Sequence, residues 1–173
     1  MHFKTAILID RKGVVAVEFA LLLPIMIILW AGIVEFTTLQ SAGRKVNLAA
    51  QSVADIVAQE QSVTQQRLDN IIRAATIIIT PFPTDSLNIG IQSIETDAAG
   101  AISVGWETGA LNGIPAQAPS LINQNDSTIH VLVTYTYQPV LSNLVPPGFL
   151  PGITNMTQQA FAKPRLTTKI PFN

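Results

Sequence analysis

The sequence predicts an α+β protein: a long N-terminal transmembrane helix that continues into an amphipathic helix packed on a small antiparallel β-sheet head domain. Three observations carry that prediction. From Val14 to Val34 the chain is apolar except for Glu18. From Leu39 to Val57 apolar residues recur at three- and four-residue steps, the period of one helix face. Beyond Pro83 the pattern changes to alternation of apolar and polar residues, the period of a strand. The organisation that follows is a leader over residues 1–13, a membrane helix over 14–36 and a head domain over 37–173.

The apolar run comes first. As a helix rising ~1.5 Å per residue, Val14–Val34 is ~31 Å long, which matches a bilayer hydrocarbon core of ~30 Å. It is longer than the apolar core of a secretory signal, which is roughly 7–15 residues. Lys4, Arg11 and Lys12 precede it, while Arg44 and Lys45 follow it, so the bias towards a cytoplasmic N-terminus is modest. Pro24 inside the run removes a backbone donor and predicts a loosened or kinked helix, which membranes tolerate. Trp30 lies near the far boundary, where an aromatic ring suits the interface. Glu18 is the anomaly. A carboxylate in a span costs about 2.5–3.5 kcal/mol at the centre and less near an interface, so it calls for a partner.

The helix is expected to run on to residue 58, with Leu39, Val46, Ala49, Ala50, Val53, Ile56 and Val57 on its apolar face. Gly43 is its weak point. Val46, Val53 and Val57 should meet Ile89, Val131 and Val133 of the sheet. Ser62 and Gln65 then form a capping box for a second helix over residues 63–75, with Leu68, Ile71, Ile72 and Ala75 inward. The β-branched Thr76–Thr80 is expected to become extended before Pro81 and Pro83.

The strands follow. Residues 87–94 and 101–107 alternate and flank Asp97-Ala98-Ala99-Gly100, a turn signal, so they predict a hairpin. Residues 109–126 are rich in Gly, Pro and Asn and read as a long loop. Thr128–Tyr137 is the clearest strand, stopped by Pro139. Residues 140–153 read as a helical turn or an irregular crossover, and Thr157–Pro164 as the last strand.

Composition excludes several classes of chemistry. The 173-residue chain contains no cysteine, hence neither a disulfide frame nor a thiolate. Its formal charge of −1 becomes −3 once residues 1–13, with three of the ten Lys/Arg and one of the eleven Asp/Glu, are removed. With no basic patch, nucleic acid is not an expected partner. His130 is the only histidine outside the leader and sits in the strongest strand, where a sheet-face histidine is far commoner than a general base. Glu95, Asp97 and Glu107 flank the hairpin turn and read as a solvated turn; the oxygen ligands and spacing of a Ca²⁺ loop are missing. No nucleophile-elbow, zincin, phosphate-loop or dinucleotide motif occurs. No enzymatic activity, cofactor or metal is expected.

The stretch Arg11-Lys12-Gly13, then Val14–Val17, then Glu18-Phe19 and an apolar run, resembles the N-terminus of TadE/TadG-like pseudopilins of Tad pilus systems. Gly32-Ile33-Val34-Glu35-Phe36 is similar to that family too, and the likeness spans roughly residues 11–60. The head, with Tyr-x-Tyr-x-Pro ending its best strand, is loosely similar. The resemblance implies a pilin-like fold and cleavage between Gly13 and Val14 by a prepilin-type peptidase. Glu18 becomes the fifth mature residue, and Glu18-Phe19 sets register in assembly, the carboxylate pairing with the new amine of Val14. It implies a single-pass inner-membrane protein, N-terminus cytoplasmic and head periplasmic, that contributes to pilus assembly with other pseudopilins and the assembly machinery and that can itself enter the pilus. The competing expectation is a single-pass membrane-anchored periplasmic binding or scaffold domain with no pilus role. Processing after Gly13 and cofractionation with pilin discriminate the two.

Overall fold

The computed structural model describes residues 11–111, 113, 115, 122–141, 148–150 and 152–173. The leader expected over 1–13 therefore lies mostly outside the described residues, as do parts of the loop over 109–126 and of the crossover over 140–153. Among the described residues two helices and four strands follow in the order α1 (Arg11–Ala58), α2 (Gln65–Ile79), β1 (Leu87–Thr96), β2 (Ile102–Thr108), β3 (Ser127–Tyr137) and β4 (Thr154–Ala162). This is the expected α+β architecture. The chain divides into two compact units: Met1–Leu39 with Gln138–Gly152, and Gln40–Tyr137 with Ile153–Asn173.

In the second unit the strands form one antiparallel sheet in the order β2-β1-β3-β4. The expected hairpin is β1–β2. Asp97 builds its turn: Oδ1 accepts from the backbone N–H of Ala99 at 2.9 Å and of Ala101 at 2.8 Å, and Gly100 takes a φ of 83° that side chains disfavour. Ile91, Ile129, Val131 and Val133 are fully buried, and so are Val46 and Val57 of α1, with Val53 only 1% exposed. α1 comes close to the sheet at Gly43, where an added Cβ would lie 3.9 Å from Met156 Sδ of β4.

Several local expectations are corrected. The N-cap of α2 is Thr64, whose Oγ1 accepts from the backbone N–H of Arg67 at 3.2 Å, so the Ser62–Gln65 box does not form. Val63, placed inside that helix from the sequence, instead makes a parallel bridge to Phe172 and is fully buried. Thr76–Ile79 stays helical. The reason is packing: Ile79 is buried, and Lys45 Nζ donates to the carbonyls of Ile78 at 3.2 Å and Thr80 at 2.6 Å, satisfying the end of α2. Ile56 and Ile72 are less buried than their spacing implies. β4 runs Thr154–Ala162 and ends before Pro164. Beyond it the C-terminal tail lies against the hairpin, with Trp106 Nε1 donating to the Ile170 carbonyl at 2.8 Å.

Candidate functional site

The candidate site is the first half of α1. Its residues from Gly13 to Met26 are exposed, among them Glu18, with Val14 at 54% and Phe19 at 57%. The helix is long and apolar enough to cross a membrane and fits a single-pass anchor. An apolar surface on all sides of a helix is disfavoured in water and favoured in lipid. The helical assignment passes through Pro24 without a break.

Gly13 lies within the helix, and a Cβ there would meet nothing within 4 Å. No packing contact in the described residues requires glycine at this position, although glycine costs a helix about 0.5–1 kcal/mol relative to alanine. Glu18 is exposed and, among the described residues, makes no hydrogen bond or ion pair. The structure thus presents Gly13, Val14, Glu18 and Phe19 on consecutive open turns.

The sequence reading missed a second carboxylate, Glu35. It is 1% exposed, and its two oxygens accept from the backbone N–H of Val140 at 3.2 Å (Oε1) and of Leu141 at 3.0 Å (Oε2). Two hydrogen bonds from consecutive amides to one carboxyl group fix a backbone segment closely. Ala31, one turn earlier on the same face, is fully buried. The sequence did place an acid at the end of the span. What it did not show is that a segment about a hundred residues later supplies the donors.

In the second unit His130 is buried at 2% exposure and stacks on Phe161 with ring centroids 4.9 Å apart. Gln92 Nε2 donates to the Gly113 carbonyl at 3.0 Å and lies 2.9 Å from His130 Nδ1. The Gln92 amide hydrogens face Nδ1, an arrangement that favours the tautomer in which Nδ1 accepts. Burial lowers the pKa of His130; the neighbouring Gln159 amide acts in the opposite direction without a well-aligned bond to Nε2. A neutral, covered imidazole of this kind has no open approach for a substrate. Asp126 is also shifted. Its partial burial would raise its pKa, but the Lys163 ammonium and the backbone N–H groups of Ser127 and Asn123 together lower it. Glu95 pairs with Lys169 at 3.2 Å, and Asp97 is committed to its turn. Among the described residues no group of three His, Cys, Asp or Glu is arranged to hold a metal ion.

This helix with its internal acid is the feature on which the comparison with known proteins turns. Residues 13–55 match the family model described as TadE-like protein. The match takes in nearly all of α1 and none of the sheet, and it agrees with the resemblance read from Arg11–Phe36. It points to a part in Tad pilus assembly. No curated protein and no solved structure matches the chain.

Proposed function

We propose that this chain is a minor pseudopilin of a Tad-type pilus, acting by association in the inner membrane and not by chemistry of its own. The observation that carries the reading is an acid one turn inside an apolar, exposed helix that the TadE-like model matches from Gly13 onward. An unpartnered carboxylate there is costly in lipid, and a neighbouring helix with a cationic group removes the cost.

In this reading a prepilin-type peptidase hydrolyses the Gly13–Val14 peptide bond. The small, unpacked Gly13 gives it room, and the new α-amine of Val14 becomes the counter-charge for Glu18 on the same or an adjacent helix. Helices then pack laterally with Glu18-Phe19 fixing the axial register, and the periplasmic head domain associates with partner pseudopilins. The N-terminus is cytoplasmic.

Intact-mass measurement of the membrane-extracted protein, from cells that have the peptidase, tests the reading together with cofractionation with pilin. The expected mass lacks residues 1–13 and the expected fraction contains pilin. An intact leader and a pilin-free fraction would favour a membrane-anchored periplasmic domain with no pilus role.

A further inference from the structure

The return segment that Glu35 holds has an unusual composition. Between Gln138 and Ile153 there is no Asp, Glu, Lys, Arg or His, and Pro139, Pro146, Pro147 and Pro151 have no N–H to satisfy. Two of the remaining amides, those of Val140 and Leu141, are satisfied by Glu35. Val140 is nevertheless 73% exposed and Phe149 61%. Large exposed apolar side chains on a charge-free segment, with the Val140 and Leu141 amides paired and four further donors removed by proline, favour contact with hydrocarbon, where an unpaired donor is penalised.

The place of the segment supports the same conclusion. Phe149 lines one side of an open apolar groove of about 420 Å³, and Ile28, Leu29, Gly32, Ile33 and Phe36 of α1 line the other. Ile28, Leu29, Gly32 and Ile33 belong to the last two turns of the apolar run, with Phe36 just beyond it, and Ile28 lies ~9 Å along the axis before Val34. The groove is therefore continuous with the lipid-facing surface of the span. The groove is open at Gly32, where a Cβ would meet nothing within 4 Å. Glu35 stands where the span leaves the hydrocarbon, and the amides of the segment are its partners at that depth.

We infer that the segment around Val140, Leu141 and Phe149 dips into the leaflet at the C-terminal end of the span, with lipid acyl chains filling the groove between Phe149 and α1. The chain then contacts the bilayer twice, through the span and through a return segment that Glu35 fastens to it. The inference rests on the reading of Val14–Val34 as a membrane anchor.

The absence of cysteine allows a direct test. The full chain is reconstituted in phosphatidylcholine vesicles with a single nitroxide at Phe149→Cys, at Ile33→Cys in the span or at Ser103→Cys, which is exposed in the head. Collision rates are read with oxygen, which concentrates in hydrocarbon, and with a neutral nickel chelate, which stays in water. The Phe149→Cys label is expected to match Ile33→Cys, accessible to oxygen and shielded from nickel. A nickel-accessible label like that at Ser103→Cys would overturn the inference. So would a label shielded from both reagents, because the occupant of the groove would then be protein. If Ile33→Cys is itself nickel-accessible, the anchor reading fails as well; if only Phe149→Cys is, the inference fails alone.

Discussion

The two halves of α1 are built for different surroundings. From Val14 to Val34 the helix carries Leu21, Leu22, Leu23, Ile25, Met26 and Leu29 on all sides, each at least 40% exposed. From Ala42 to Ala58 a stripe of Ala and Val (Ala42, Val46, Ala49, Ala50, Val53 and Val57) is almost fully buried, while Arg44, Asn47, Leu48 and Gln51 face outward. Large side chains on every face suit a solvent that is itself hydrocarbon; a stripe of small ones lets a helix approach a sheet closely. In the first unit both oxygens of Glu35 are satisfied, whereas in the second His130 Nε2 and Gln92 Oε1 are buried without a partner.

The sharpest way to break this comparison is Glu18→Val. If the first half of α1 is only an anchor, valine removes a cost and the span inserts more readily. If it assembles with other helices, the amine of Val14 loses its counter-charge, and a buried charge left alone costs about 3–5 kcal/mol. We expect the variant to be made and inserted but to lose pili and crosslinks to partner pseudopilins, with Glu18→Asp partly active. Normal pilus numbers would return Glu18 to the class of its exposed neighbours.

Truncations test burial next. Leu68 is fully buried in the second unit and Leu22 is 56% exposed in the first. Leu68→Ala should lower unfolding free energy by about 2–5 kcal/mol in detergent. Leu22→Ala should leave the head transition in place, and equal losses would erase the distinction. A smaller effect is expected at Glu35→Ala, which strips the acceptor from two amides at about 1–3 kcal/mol for a buried group left unsatisfied. Hydrogen exchange at Val140 and Leu141 should quicken, and less so in Glu35→Gln, which keeps one carbonyl oxygen. Unchanged exchange would mean that Glu35 is not what holds the segment.

Periodicity explains why much of this was legible in advance. The span, the amphipathic stripe at Val46, Val53 and Val57, the hairpin and the strand ending at Tyr137 all announce themselves by a period or a turn signal. The errors fall where tertiary contacts override local preference. β-branched Thr76–Ile79 remains helical because Ile79 is buried and Lys45 caps the carbonyls, and no local pattern contains Lys45. Gly13 and Glu18 form a local motif that a sequence displays by itself, whereas the role of Glu35 is illegible there, because its donors are at Val140 and Leu141. The one available signal is the charge-free run from Gln138 to Ile153, which by itself reads as a helical turn or an irregular crossover.

The smallest expected effect concerns His130, the half-satisfied counterpart of Glu35. Its folded pKa lies below the ordinary imidazole value, because burial disfavours the cation. The Gln92 amide hydrogens, held in place by the Gly113 carbonyl, also face Nδ1, where a proton would have to bind. As pH falls past the ordinary value near 6.5, the unfolded chain therefore takes up a proton that the folded chain refuses. Stability must fall with pH across that window and level off only below the folded pKa. The carboxylates titrate mostly at lower pH, and Asp126 is lowered further still, so they contribute little there. The chain has only one other histidine, His2, so a His2→Gln background isolates the effect. In that background the unfolding temperature should drop between pH 7.5 and 5.5. Adding His130→Gln, whose carbonyl can still accept from Gln92, should flatten the slope while retaining the fold. An equal slope in both proteins would show that His130 is not the group that couples the head to pH.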